Sequence, residues 1–82
     1  MLFVYILYSR SLDRYYIGVT ENVEVRFTKH LAKHRGYTGS ATDWELKYVE
    51  TFPAKRAALI REKQLKHWKN RKRIEELISR SA

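Results

Sequence analysis

Leu2-Phe3-Val4-Tyr5-Ile6-Leu7-Tyr8-Ser9, a short break, and then Tyr15-Tyr16-Ile17-Gly18-Val19 decide how this chain folds. Residues 2–9 are almost all aliphatic, β-branched or aromatic, the composition of a strand covered at least partly on both faces. Residues 15–19 resume the same chemistry after about five intervening residues, with Ser11-Leu12-Asp13-Arg14 in the connection. Two such runs so close together predict an antiparallel hairpin. Gly18 weakens a strand unless its missing side chain is needed, so it predicts a bulge or a close approach by another group.

Outward from the hairpin, Thr20 or Asn22 is placed to cap a helix over residues 22–33. Val23, Phe27 and Leu31 form its apolar line, with Arg26 and His30 beside it. Glu21 and Glu24 lie in its first turn and Lys29 and Lys33 near its end, the order the helix dipole favours. Residues 34–43 carry two glycines and small polar residues, as an irregular loop does. Residues 44–52, WELKYVETF, alternate as an edge or half-exposed strand. Strict alternation puts Trp44, Leu46, Tyr48 and Glu50 on one face and Glu45, Lys47 and Val49 on the other.

Pro53 ends that strand, and residues 54–68 favour helix throughout. Ala54, Ala57, Ala58, Leu65 and Trp68 share a face with Glu62 on its flank. Arg61 falls in the middle of that face, where periodicity gives it no reason. Asn70 either caps a last helix over 71–79, with Ile74, Leu77 and Ile78 inward, or lies inside one continuous helix. The order β-β-α-β-α-α predicts an α+β fold, a three-stranded antiparallel sheet flanked by helices. A chain of 82 residues has room for one domain, taken as 1–82, and none for a separate DNA-binding domain.

The chain has no cysteine, so neither disulfides nor a cysteine metal site staple its small core. No apolar run reaches the ~18 residues of a membrane span. The opening MLFVYILYS lacks a basic lead and is followed by Arg10, which favours a strand over a signal peptide. A cytoplasmic protein without a membrane partner is the expectation. Seventeen Lys and Arg against nine Asp and Glu give a formal charge of +8. Lys55, Arg56, Arg61, Lys63, Lys66, Lys69, Arg71, Lys72 and Arg73 crowd residues 55–73, opposed only by Glu62. A phosphate backbone is the commonest target of such a surface, ahead of an acidic protein or plain solvation.

His30 and His34 are spaced as a zinc pair is, but HLAKH has no glutamate between them, and a zinc site is set aside. Tyr5 and Tyr16 on adjacent strands, Arg26 and His30 on one helix face, and the lone acid Glu62 supply what phosphodiester cleavage needs. A carboxylate holds a hard divalent cation. An arginine stabilises developing phosphorane charge. A tyrosine or histidine holds or deprotonates water. The same residues also fit plain roles, the tyrosines as ordinary sheet residues, Arg26 as a solvated side chain and Glu62 as a partner for Lys66.

The ordered set resembles the GIY-YIG nuclease family, in particular its small stand-alone members, and is similar to the N-terminal domain of excinuclease C. The first motif stands as Phe3-Val4-Tyr5 and the second as Tyr16-Ile17-Gly18. The Arg26 and His30 pair, the WELKYVETF strand and the ALIREKQLKHW helix follow in order. The resemblance covers nearly the whole chain. It implies a three-stranded antiparallel sheet with helices and hydrolysis of DNA by an attacking water. In that reading Tyr5 positions or deprotonates the water, Tyr16 holds the scissile phosphate or a water, and Gly18 lets the backbone turn close to the site. Arg26 contacts the phosphate, His30 assists the base, and Glu62 ligates Mg²⁺ or Mn²⁺.

Phe3 replaces the first glycine, Val19 stands where many members have lysine, and Ile74 stands where asparagine is common. Val19 and Ile74 keep a catalytically silent nucleic-acid-binding module of the same fold as the alternative. The expected partner is DNA, branched, nicked or nonspecific duplex, with Lys33 and Arg35 adding backbone contact and a partner protein supplying any specificity. The reading requires Tyr5, Tyr16, Arg26, His30 and Glu62 to meet on one concave, basic surface.

Overall fold

The computed structural model describes residues 1–25, 43–68 and 70–81. Three strands, β1 (Leu2–Ser9), β2 (Arg14–Thr20) and β3 (Trp44–Phe52), form one antiparallel sheet in the order β2-β1-β3. β1 is central, which is why four successive residues from Val4 to Leu7 are all buried. β3 is an edge strand, as its half-polar sequence predicts. Residues 23–25 are helical, and the Asn22 side chain accepts the Val25 N–H at 3.2 Å as the expected cap.

Directly opposed residues of antiparallel strands share a face. The β1–β2 register, from Phe3 opposite Thr20 to Ser9 opposite Arg14, runs without interruption. The β1–β3 register shifts by one: Ile6 opposes Tyr48, but Leu7 opposes Leu46. Lys47 is therefore the extra residue of a bulge. This corrects the alternation expected for β3. Trp44 and Leu46 lie on the Tyr5 and Leu7 face, while Tyr48, Glu50 and Phe52 lie on the Val4 and Ile6 face.

Helices α1 (Lys55–His67) and α2 (Arg71–Ser81) cover the Val4 and Ile6 face. Ala58 and Leu65 of α1 and Ile74 of α2 complete one aliphatic core with those two strand residues. Each large aliphatic side chain fully buried there contributes about 1.5–3 kcal/mol. Ala54 and Ala57 are exposed, so the inward stripe of α1 is Ala58, Arg61, Glu62 and Leu65 rather than the alanine face. The chain breaks at Trp68, whose N–H returns to the Leu65 carbonyl at 3.1 Å. Asn70 then opens α2, its side chain accepting the Lys72 N–H at 3.0 Å. Two helices are formed, with Ile74 buried and Leu77 and Ile78 packed against the core.

Arg61 gains its reason from tertiary pairing. Its Nε and Nη2 donate to the two carboxylate oxygens of Glu50, each at 2.9 Å. The Tyr48 hydroxyl donates to the same carboxylate. Burial pushes the Glu50 carboxyl up, but the Arg61 and Tyr48 hydrogen bonds outweigh it and leave it below the usual range.

The hairpin turn is pinned twice. Asp13 takes a left-handed backbone, φ 54°, and accepts the Tyr8 hydroxyl at 2.5 Å. Arg71 grips the same carboxylate at 2.9 and 2.5 Å and lies over the rings of Tyr8 and Tyr15. On the other side Asp43 accepts the Ser9 hydroxyl at 2.6 Å and the Ser11 N–H at 2.8 Å, tying the turn to the start of β3. Among the described residues no helix is long and apolar enough to cross a membrane.

Candidate active site

The second face of the sheet carries a different cluster. Tyr5, Leu7 and Trp44 are buried there, with Tyr16 and Leu12 packed against them. Tyr5 opposes Gly18 on β2, and Tyr16 stands two residues before that glycine on the same face. The Tyr5 and Tyr16 rings lie 6.2 Å apart and tilted, and Tyr16 meets Trp44 edge-on at 6.4 Å.

Gly18 is where the tyrosine pair is made possible. A Cβ at that position would sit 2.5 Å from the Tyr5 hydroxyl oxygen and 2.7 Å from Cζ. The Tyr5 ring occupies the volume that any other residue would fill. The glycine therefore serves a close approach, one of the two predicted outcomes, and β1 and β2 pair through it without a bulge. Its role is to seat a side chain rather than to turn the backbone.

Glu62 lies elsewhere in the architecture. It sits on α1, one turn from both Ala58 and Leu65, and its side chain is 22% exposed. α1 covers the face of the sheet opposite the tyrosine pair. Glu62 pairs with Lys66 at 3.3 Å, and Lys66 reaches the exposed edge of β2. The structure thus brings Tyr5, Tyr16 and Gly18 together on one face, while Glu62 stands on the helix that packs on the other, paired with Lys66 beside β2. Arg26, His30, Lys33, Arg35 and Lys69 lie outside the described residues. Among the described residues no three His, Cys, Asp or Glu side chains are grouped to hold a metal ion.

At the β2 edge an open groove of about 720 Å³ runs between residues 14–17, the end of α1 and the start of α2. Leu65 and Ile74, both buried, form its floor with Ile17. Arg14, Lys66 and Arg71 stand exposed around it, and Tyr15 and Trp68 add aromatic surface.

The basic segment divides on inspection. Lys55, Arg56, Lys63 and Lys72 are exposed, as phosphate contact requires. Arg61 is turned into the Glu50 pair. Arg71 is committed to Asp13, and Arg73 lies 4.4 Å above the Trp68 ring. Val19 packs against the aliphatic core and Ile74 is buried in it, so two of the three departures from the family pattern are core residues.

Sequence reasoning missed Arg14 and Asp43. Arg14 reads as a turn residue, and nothing local marks it as a groove wall. Asp43 lies just before β3, and its partners Ser9 and Ser11 are more than thirty residues away in sequence.

The GIY-YIG catalytic domain matches residues 1–75 of the chain. The solution structure of the UPF0213 protein BH0048 from Bacillus halodurans superposes with a TM-score of 0.59 at 30% identity, over 96% of this chain and 84% of that one. No curated protein matches.

Proposed function

Since the chain belongs to the GIY-YIG catalytic-domain family, we propose that it hydrolyses DNA phosphodiester bonds with Tyr5, Tyr16, Arg26, His30 and Glu62 as its working groups. The observation that carries this reading is the Tyr5–Gly18–Tyr16 arrangement, in which both motifs fold into one packed unit across β1 and β2. Tyr5 holds or deprotonates the attacking water, and the wall at Gly18 fixes its hydroxyl. Tyr16 steadies the phosphate. Arg26 takes the charge that develops on the phosphorane, and His30 assists the proton transfer.

Glu62 is the residue that would hold Mg²⁺ or Mn²⁺. A lone hard carboxylate fits such an ion when phosphate oxygens and water complete its shell. The bound ion would supply charge neutralisation and an acidified water. Lys66, now paired with Glu62, is free to turn to a phosphate once that carboxylate is otherwise engaged. Because α1 lies behind the sheet, the scissile phosphate belongs at the exposed β2 edge, where groups from both faces can reach it. Lys55, Arg56, Lys63 and Lys72 hold the backbone without reading sequence.

A second reading, a silent DNA-binding module, is favoured by Val19 and Ile74, since neither core residue can be turned into the site. Nicking of branched, nicked and plain duplex DNA with Mg²⁺ or Mn²⁺ separates the two. The nuclease reading expects cutting that Glu62→Gln and Arg26→Ala abolish, while binding in EDTA persists. A wild-type protein that binds every substrate and cuts none supports the silent module. Binding indifferent to salt sinks both.

A further inference from the structure

We propose that Asp43 is a positioning residue for Tyr16: it fastens the start of β3 to the hairpin turn and so holds the aromatic cluster against which the Tyr16 ring rests. This depends on the reading above, in which Tyr16 steadies the scissile phosphate, and adds the part of the molecule that keeps that ring in place.

Tyr16 is partly buried, and its ring has two aromatic neighbours. Tyr5, 6.2 Å away, is itself seated in the space that Gly18 leaves. Trp44 meets the ring edge-on at 6.4 Å. It is the first residue of β3 and opposes Ser9, the last residue of β1. Strand ends open most readily, so a ring carried there gains from an anchor beyond the backbone ladder. Burial keeps Trp44 out of water, but the edge it turns to Tyr16 depends on where its backbone starts.

Asp43, one residue earlier, supplies that anchor. Its Oδ1 accepts the Ser9 hydroxyl at 2.6 Å and the Ser11 hydroxyl at 3.0 Å, and its Oδ2 accepts the Ser11 N–H at 2.8 Å. Ser9 is fully buried, and its Oγ in turn accepts the Leu12 N–H at 3.2 Å. Leu12 packs against the Tyr5, Leu7 and Trp44 cluster, as Tyr16 does. One carboxylate thus joins the end of β1, the hairpin turn and the residue beside Trp44. The Ser9 hydroxyl and the Ser11 N–H hold the Asp43 carboxyl below the usual carboxylate range, so it is ionised at neutral pH and takes all three donors. Hydrogen bonds to an ionised acceptor are the stronger kind. Asp13 pins the same turn through Tyr8 and Arg71, on the face that the helices cover, and is the natural control.

One measurement reads the ring and another the reaction. In protein carrying meta-fluorotyrosine, the fluorine resonance of Tyr16 is the one lost in Tyr16→Phe. Asp43→Ala removes all three acceptor contacts at once and should shift and broaden that resonance, while Asp13→Ala leaves it in place. The unlabelled variants are then assayed on whichever branched, nicked or duplex DNA the wild type cuts. Asp43→Ala should lower kcat about tenfold with KM within about twofold, since a misplaced group slows the step without weakening the backbone contacts. Asp13→Ala should leave kcat within about twofold of the wild type. Should Asp43→Ala fail to fold, Ser9→Ala, which cuts the carboxylate from the Leu12 end of the network, is read in the same two ways.

An unmoved Tyr16 resonance in Asp43→Ala overturns the proposal, as does a moved resonance with kcat unchanged or an equal effect of Asp13→Ala. Those results leave the nuclease reading standing, because the wild type still cuts. A wild type that cuts no substrate removes the nuclease reading instead, and the fluorine resonance alone then decides whether Asp43 holds Tyr16 in place.

Discussion

The two faces of one small sheet are built on opposite principles. The face under α1 and α2 is an aliphatic core, Val4, Ile6, Ala58, Leu65 and Ile74, into which a charged pair, Arg61 and Glu50, has been fitted at the margin. The other face is aromatic and small: Tyr5, Trp44 and Tyr16 around Leu7, with a glycine left open for a tyrosine ring. Both faces carry stability, since Trp44 and Tyr5 are the largest fully buried side chains among the described residues. The aromatic face in addition holds hydroxyl groups in fixed places. Substitutions on the first side should move the unfolding curve alone, and those on the second should move chemistry as well.

The largest stability effect should come from the aliphatic side. Leu65→Ala removes a fully buried side chain at the α1–sheet contact and should cost about 2–5 kcal/mol in urea unfolding. A domain of this size with no staple stands to lose most of its folded population. A loss under 1 kcal/mol would mean that the helix is not held by this core.

Gly18→Ala breaks the comparison if the aromatic face matters only for chemistry. The new methyl meets Tyr5 and forces ring or strand to shift, so about 1–3 kcal/mol is expected together with lost cleavage. Unchanged stability with unchanged cleavage would show that the close approach is dispensable.

Glu50→Gln tests the charged margin of the core. Leaving Arg61 without its anion should cost about 1–3 kcal/mol near neutral pH. The sign with pH follows from the carboxyl lying below its ordinary value in the folded state. Its stabilisation is complete above the unfolded pKa of about 4.3 and fades as pH falls through the lowered native value. The gap between wild type and Glu50→Gln should therefore close below about pH 4. A gap that stays constant into acid would remove the ion pair as its cause.

Tyr5→Phe sharpens the contrast most. It keeps the ring on Gly18 and deletes only the hydroxyl, so stability should change by about 1 kcal/mol or less. Nicking, by contrast, should fall about 100-fold or more if that hydroxyl manages the attacking water. Asp13→Asn should do least. The Asp13–Arg71 pair is exposed, so thermal unfolding should scarcely move and its small effect should vanish in high salt.

Much of this molecule was legible along the chain. Residues 2–9 and 15–19 announced a hairpin whose first strand is covered on both faces, because such a strand needs apolar side chains at nearly every position. The break at Trp68 to Asn70 was readable as one of two options because asparagine caps helices through its side chain. Gly18 flagged itself as a position where something must come close. Arg61 did not explain itself, because its partner Glu50 faces α1 only after Lys47 bulges and reverses the alternation of β3. Arg71 read as one more phosphate contact, since its partner Asp13 lies 58 residues away.

Local sequence determined which segments became strand or helix, the charge of the surface and the order of the two tyrosine motifs, because side-chain periodicity and capping act within a few residues. Which face each group occupies was decided only by folding. The strand order, the bulge at Lys47 and the docking of the two helices set the Arg61–Glu50 pair at the margin of the core and opened a groove at the β2 edge. Those outcomes depend on contacts between residues far apart in the chain, and no short-range pattern encodes them.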